Sequence, residues 1–120
     1  MMNHVICHFE IPADDVDKLK EFYEKLFGWK ITKAEGPFEY CLIETGEVGG
    51  GMRKRENPDD KINVHILVES VDEYSKKVEG LGGKILVPKQ TIPGYGFVAY
   101  ISDPQGNMFG IFEENKEARF

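Results

Sequence analysis

Cysteine is scarce in this chain: two residues, Cys7 and Cys41, both in strand-like apolar runs. Two thiols are too few for a disulfide framework or a zinc cluster, so both read as buried reduced thiols. Positive charge is in deficit, with 15 Lys and Arg against 21 Asp and Glu and a net charge of −6. The one basic cluster, Arg53-Lys54-Arg55, is followed at once by Glu56, Asp59 and Asp60. A phosphate backbone needs a concentrated basic face, so nucleic acid is not an expected partner. No apolar run approaches the ~20 residues that cross a bilayer, so no membrane partner is expected. The opening "MMNHVICHFEIP" has neither a basic n-region nor a long apolar h-region, which places the protein in the cytoplasm.

What is present is the composition of a globular protein, 41% apolar and 30% charged over 120 residues, the ordinary size of one domain. The order of elements is written twice. "VICHFEI" alternates as a strand, Pro12 stops it, and "ADDVDKLKEFYEKLFGW" follows as a helix. Asp14 or Asp15 is its N-cap, Val16, Leu19, Phe22, Tyr23 and Leu26 form its apolar face, and Gly28 closes it. Strand candidates "WKITKAE", "FEYCLIET" and "MRKRE" complete a first module over residues 4–55. After a polar linker, residues 56–61, a second module over 62–114 repeats the order. It has the strand "INVHILVE", a helix "SVDEYSKKVEGLGG" begun by Ser70 or Asp72 with Val71, Tyr74, Val78 and Leu81 inward, and the strands "KILVPKQ", "GFVAYIS" and "NMFGIFEE".

The expected fold is α+β: two βαβββ modules paired into a half-open, barrel-like mixed sheet, helices outside, over a single domain spanning residues 1–120. Strand parity puts Val5, Cys7, Phe9 and Ile11 under the first helix and His4, Ile6, His8 and Glu10 toward a cavity. In the second module Ile62, Val64, Ile66 and Val68 go under the helix, and Asn63, His65, Leu67 and Glu69 face inward. "TIPGYGF" reads as a mobile, aromatic-bearing loop at the cavity mouth, which makes Tyr95 and Phe97 candidate ligand contacts beside His8, Glu10, Asn63 and His65. Tyr40 and Tyr100 read as sheet packing. Gly110 is unexplained by local structure, because Gly106 already makes the turn before it and glycine weakens a strand interior.

The paired layout, "HFEIPADDVDKLKEFYEKLFGWKI" near the start and "DPQGNMFGIFE" near the end resemble the vicinal oxygen chelate superfamily of glyoxalase I, bleomycin-binding proteins and extradiol dioxygenases. The resemblance implies a divalent ion held by His, Gln or Glu from the first and last strands of each module. Carried over by position, His8 matches the first ligand and is the one metal candidate. The second falls at Gly50 or Gly51, the third at Asn63, and the fourth, normally glutamate, at Gly110. Glu44 stands near the second position on the preceding strand, and a rearranged set of His8, His65 and Glu10 or Glu44 would be the remaining way to hold a metal.

The expected function is therefore a glyoxalase-like, cytoplasmic, homodimeric protein that binds a small organic molecule in a degenerate cavity without a metal or other cofactor. The catalytic candidates, should it be an enzyme, are His8 and Glu10. The alternative is a metal-dependent lyase, isomerase or dioxygenase of the same superfamily with a nonstandard site.

Overall fold

In a computed structural model, which describes residues 4–36 and 39–120, ten elements run in the repeated order. The first five are β1 (Ile6–Ala13), α1 (Val16–Phe27), β2 (Lys30–Lys33), β3 (Tyr40–Glu44) and β4 (Gly50–Lys54). The second five are β5 (Asn63–Leu67), α2 (Val71–Gly80), β6 (Lys84–Ile92), β7 (Gly96–Ser102) and β8 (Met108–Glu114). Both modules are βαβββ, and the class is α+β as the sequence implies. The strand order is β2-β3-β4-β1-β5-β8-β7-β6, a mixed sheet whose order ends on β2 and β6. The start expected for β3 at Phe38 lies outside the described residues.

The chain divides into two compact units, His8–Asn63 and the residues through Cys7 with Val64–Phe120. This division differs from the module bounds read in the sequence. Backbone bonds from His4 N to Leu67 O (2.6 Å) and Leu67 N to Val5 O (2.9 Å) tie the start of β1 into the second unit. The linker stays with the first, because Arg53 and Arg55 grip Asp60.

Within the first unit, α1 begins where the Asp15 carboxylate accepts from Lys18 N at 3.0 Å. It ends at Gly28, whose φ of +71° is the left-handed cap that glycine adopts at little cost. Val16, Leu19 and Tyr23 pack on Ile11, Ala13, Ile31, Cys41, Ile43 and Met52. The buried stripe of α1 is narrower than the periodicity suggests, for Phe22 and Leu26 are more than half exposed. Sheet pairing is antiparallel for β2–β3 and β3–β4 and parallel for β4–β1.

In the second unit, α2 is capped twice: Ser70 Oγ accepts from Glu73 N at 3.1 Å, and the Glu113 carboxylate on β8 accepts from Val71 N at 2.9 Å. Val71 joins Val68, Ala99 and Ile111 in the core, with Tyr74, Phe97 and Ile101 against it. Two residues expected under α2 are outside: Ile62 precedes β5, and Leu81 lies past the helix end, both largely exposed. Strand β6 reaches Ile92, longer than expected, and its register with β7 shifts on either side of Val87, the second shift spanning Pro88, which has no N–H to give the ladder. The segment expected to be a mobile loop is tied at both ends: Gly94 N donates to Ala118 O (3.1 Å) and Asn115 N to Tyr95 O (2.8 Å). Asp103 gathers the turn before β8, accepting from the backbone N–H of Gln105 and Asn107 and from Asn107 Nδ2.

Candidate functional site

Two polar groupings form, one in each unit. In the first, β1 carries His8 and Glu10 two residues apart, hence on one face. Parallel pairing sets Gly51 of β4 beside Glu10, and antiparallel pairing sets Tyr40 of β3 opposite Arg53 of β4. The result is a network centred on the Glu10 carboxylate, which is nearly buried. Its Oε2 accepts from the Tyr40 hydroxyl at 2.6 Å and stands 2.7 Å from His8 Nε2. Its Oε1 accepts from Arg53 Nε at 3.2 Å. The outer edge of the guanidinium grips Asp60 with both terminal nitrogens, Nη1 to Oδ2 at 2.5 Å and Nη2 to Oδ1 at 2.8 Å. Because Arg53 holds it so, the Asp60 carboxyl titrates below its ordinary range, and the Arg53 guanidinium is held above its own. With Nε2 donating to an ionised Glu10, a neutral His8 carries its proton on Nε2. The His8 side chain, 28% exposed, is the most accessible of His8, Glu10, Arg53 and Asp60.

In the second unit, β5 and β8 run parallel with His65 beside Gly110, and β7 places Tyr100 opposite the same glycine. The Tyr100 hydroxyl and His65 Nε2 are 3.3 Å apart, their rings edge to face with centroids 5.4 Å apart. His65 is buried.

These two glycines have positive φ in neither case; their reason is steric. A Cβ on Gly51 would overlap the Tyr40 hydroxyl and come within 2.6 Å of Glu10 Oε2. A Cβ on Gly110 would stand 2.5 Å from His65 Cδ2. Gly50 is excluded from this face, because its missing Cβ is covered by the Phe9 ring on the core side. Of the two glycines left open by the sequence, Gly51 is therefore the one on the His8 and Glu10 side.

The remaining sequence candidates scatter. Asn63 opens β5, buried, with its Oδ1 unpaired among the described residues. Tyr95 is mostly exposed in the turn between β6 and β7. Phe97 lies on the face of β7 that packs on the α2 core, opposite in parity to Tyr100, with Lys89 Nζ 4.6 Å from its ring centroid. Glu44 pairs with Lys30 at the surface (3.6 Å) and does not join Glu10. Tyr40, Arg53, Asp60 and Tyr100 were not among the expected site residues. The available signal was parity: Arg53 is two residues beyond Gly51, so it shares that face. A groove of about 500 Å³ between α1 and β2 is lined by Asp17, Lys20, Glu24 and Lys33. Its charges are already matched, Lys33 to Asp17 at 2.7 Å and Lys20 to Glu24 at 3.2 Å, so it offers no comparable chemistry.

Comparison with known proteins bears on the family of this fold. Residues 5–111 match the Glyoxalase/Bleomycin resistance protein/Dioxygenase superfamily. The chain belongs to that superfamily. It is 28% identical over 109 residues to a provisionally named glyoxylase of Mycobacterium tuberculosis, covering 87% of this chain and 42% of that protein. It is 21% identical over 125 residues to the anthracycline biosynthesis protein DnrV of Streptomyces peucetius, covering 88% and 46%. The chain thus spans less than half the length of these curated relatives. A hypothetical protein from Bacillus halodurans superposes with a TM-score of 0.75 at 16% identity, covering 99% of this chain and 100% of that one. Methylmalonyl-CoA epimerase from Mycobacterium tuberculosis gives 0.71 at 12%, covering 92% and 87%. Such low identities establish a shared fold.

The superfamily's metal can be tested against these residues. Of the four positions the resemblance supplies, Gly51 and Gly110 carry no donor, and the room beside each is taken by neighbouring side chains. Asn63 offers a weak amide oxygen. His8 brings one imidazole, whose Nε2 faces Glu10. A divalent ion needs several anionic or imidazole donors to replace its hydration shell, and this donor set does not fit one.

Proposed function

We propose that this chain is a metal-free, small-molecule-binding member of the superfamily, with its polar anchor at His8, Glu10 and Tyr40. One observation carries the reading: the carboxylate that could have served a metal is already bonded to a guanidinium, a phenol and an imidazole. In this reading His8 is the group that meets the ligand, and Glu10 fixes its orientation from behind. The protein works in the cytoplasm as a homodimer, and the greater length of its relatives, more than twice the matched stretch, is consistent with two copies of such a chain.

Metal content of the purified protein and its melting temperature with added zinc, nickel or manganese test this. A ligand that binds only the native state raises the melting temperature by mass action. The reading expects no stoichiometric metal and no shift. Stoichiometric metal that disappears in His8→Ala would overturn it.

A second reading, acid–base catalysis without metal, is favoured by the 2.7 Å contact between His8 Nε2 and Glu10 Oε2, since a carboxylate so placed fixes the orientation of the imidazole. It predicts deuterium exchange from solvent into an acidic C–H of a bound ligand, abolished in His8→Ala. Exchange that persists in that variant would remove it.

A further inference from the structure

Resting on the metal-free reading, we infer that Arg53 is the built-in counter-cation of this site, standing where the charge of a divalent ion would otherwise balance the inward carboxylate. The geometry is specific. Arg53 projects from β4, two residues past Gly51 and on the same face, so it enters from the strand on which the superfamily carries a metal ligand. Its Nε meets Glu10 Oε1 while Oε2 is occupied by Tyr40 and His8. A carboxylate as buried as Glu10 cannot stay ionised without such compensation. Asp60 fixes the guanidinium from the far side, and Asp60 is itself fixed: its backbone O accepts from Arg55 Nη1 and its Oδ2 from Glu56 N (3.1 Å). The segment after β4 is thus a brace that aims one cation at one carboxylate.

This arrangement explains the missing donor at position 51. A metal and a guanidinium cannot both balance Glu10. Once Arg53 does, a donor at position 51 has no ion to ligate, and the phenol of Tyr40 takes its room.

The test exchanges the cation. A histidine at position 53 reaches about as far as the Nε of arginine, and would leave His8, Glu10 and a new imidazole facing one space. Arg53→His, Arg53→Lys and Arg53→Gln are compared with the parent by thermal melting, with zinc chloride alone as probe. The expected results are no zinc shift in the parent or in Arg53→Lys, and a rise of roughly 5–10 °C in Arg53→His. That rise should vanish when Glu10→Gln or His8→Ala is added. Without zinc, Arg53→Lys should melt well above Arg53→Gln, because the lysine keeps the charge. Arg53→Gln melting at or above Arg53→Lys overturns the inference, and so does a folded Arg53→His that zinc leaves unmoved. A zinc shift in the parent overturns the metal-free reading instead. Should Arg53→His fail to fold, the lysine and glutamine comparison alone decides.

Discussion

The first and second modules solve the same packing problem with different chemistry. Each last strand has a glycine facing inward, and in each the missing side chain is replaced by the tip of a neighbour. In the first module that tip is a phenol hydroxyl bonded to a carboxylate, backed by Arg53 and Asp60. In the second it is the imidazole of His65, whose Nε2 stands 3.3 Å from the Tyr100 hydroxyl. Position by position the modules run 55 residues apart: Asp15 and Ser70 cap the helices, and Glu10 and His65 stand beside the glycines. The fold therefore constrains the glycine sterically, while the charge of the site depends on the residue across from it.

The largest expected effect separates the two glycines. At Gly110 an added Cβ meets ring atoms close to the root of His65, Cγ at 2.9 Å, so the imidazole must move as a body. Gly110→Ala should cost about 3 kcal/mol, the upper part of the usual overpacking range. At Gly51 the nearest atoms are the far end of Tyr40, which can swing aside by surrendering its bond to Glu10. Gly51→Ala should cost about 1–2 kcal/mol, and Tyr40→Phe in the same chain should recover part of it. Urea denaturation of the four variants, the double one included, measures this. Equal costs at the two glycines, or strictly additive effects of Gly51→Ala and Tyr40→Phe, would contradict the account of how each space is filled.

Much of the fold was legible because it rests on local rules. Asp15, Gly28 and Ser70 announce helix ends by side-chain and backbone chemistry that needs no tertiary partner. The doubled order of elements identified the superfamily for the same reason. Residues whose exposure depends on where a neighbour stops were misjudged: Phe22, Leu26, Ile62 and Leu81 fit an apolar stripe yet lie at its edge or beyond its element. Phe97 reads as a ligand contact from its place in a glycine-rich loop, while in the structure its ring packs against the α2 core. At the site, His8 and Glu10 follow from strand parity, whereas Arg53 and Asp60 read as an ordinary charged linker. Their bond joins a strand to the turn after it, and nothing in one sequence distinguishes an acid that grips a guanidinium from one that faces water.

Next in size is the acid that braces the ionic module. Asp60→Asn removes a charged partner held by two hydrogen bonds from Arg53, so it should cost about 2 kcal/mol at pH 7. The sign of its pH dependence follows from the lowered carboxyl. Asp60 loses protons more readily folded than unfolded, so its contribution is complete above the unfolded value near 3.9 and is lost as pH falls through the folded value. The gap between parent and Asp60→Asn in denaturation experiments should therefore be constant from pH 7 to pH 5 and narrow progressively as pH falls below 4. A gap that does not narrow at all on acidification would mean that the brace acts by shape and not by charge.

The smallest effect compares the two tyrosines. Tyr40 donates a 2.6 Å bond to a carboxylate, the short charge-assisted kind, while Tyr100 stands 3.3 Å from a neutral-capable imidazole. Tyr40→Phe leaves a buried anion short of one donor and should cost about 1.5 kcal/mol; Tyr100→Phe should cost about 0.5 kcal/mol. The ratio matters more than either value, since the two substitutions delete the same atom from the same residue type. If Tyr100→Phe proved the costlier, the polar centre of gravity would lie in the second module, and the ligand would have to be sought at His65 in place of His8.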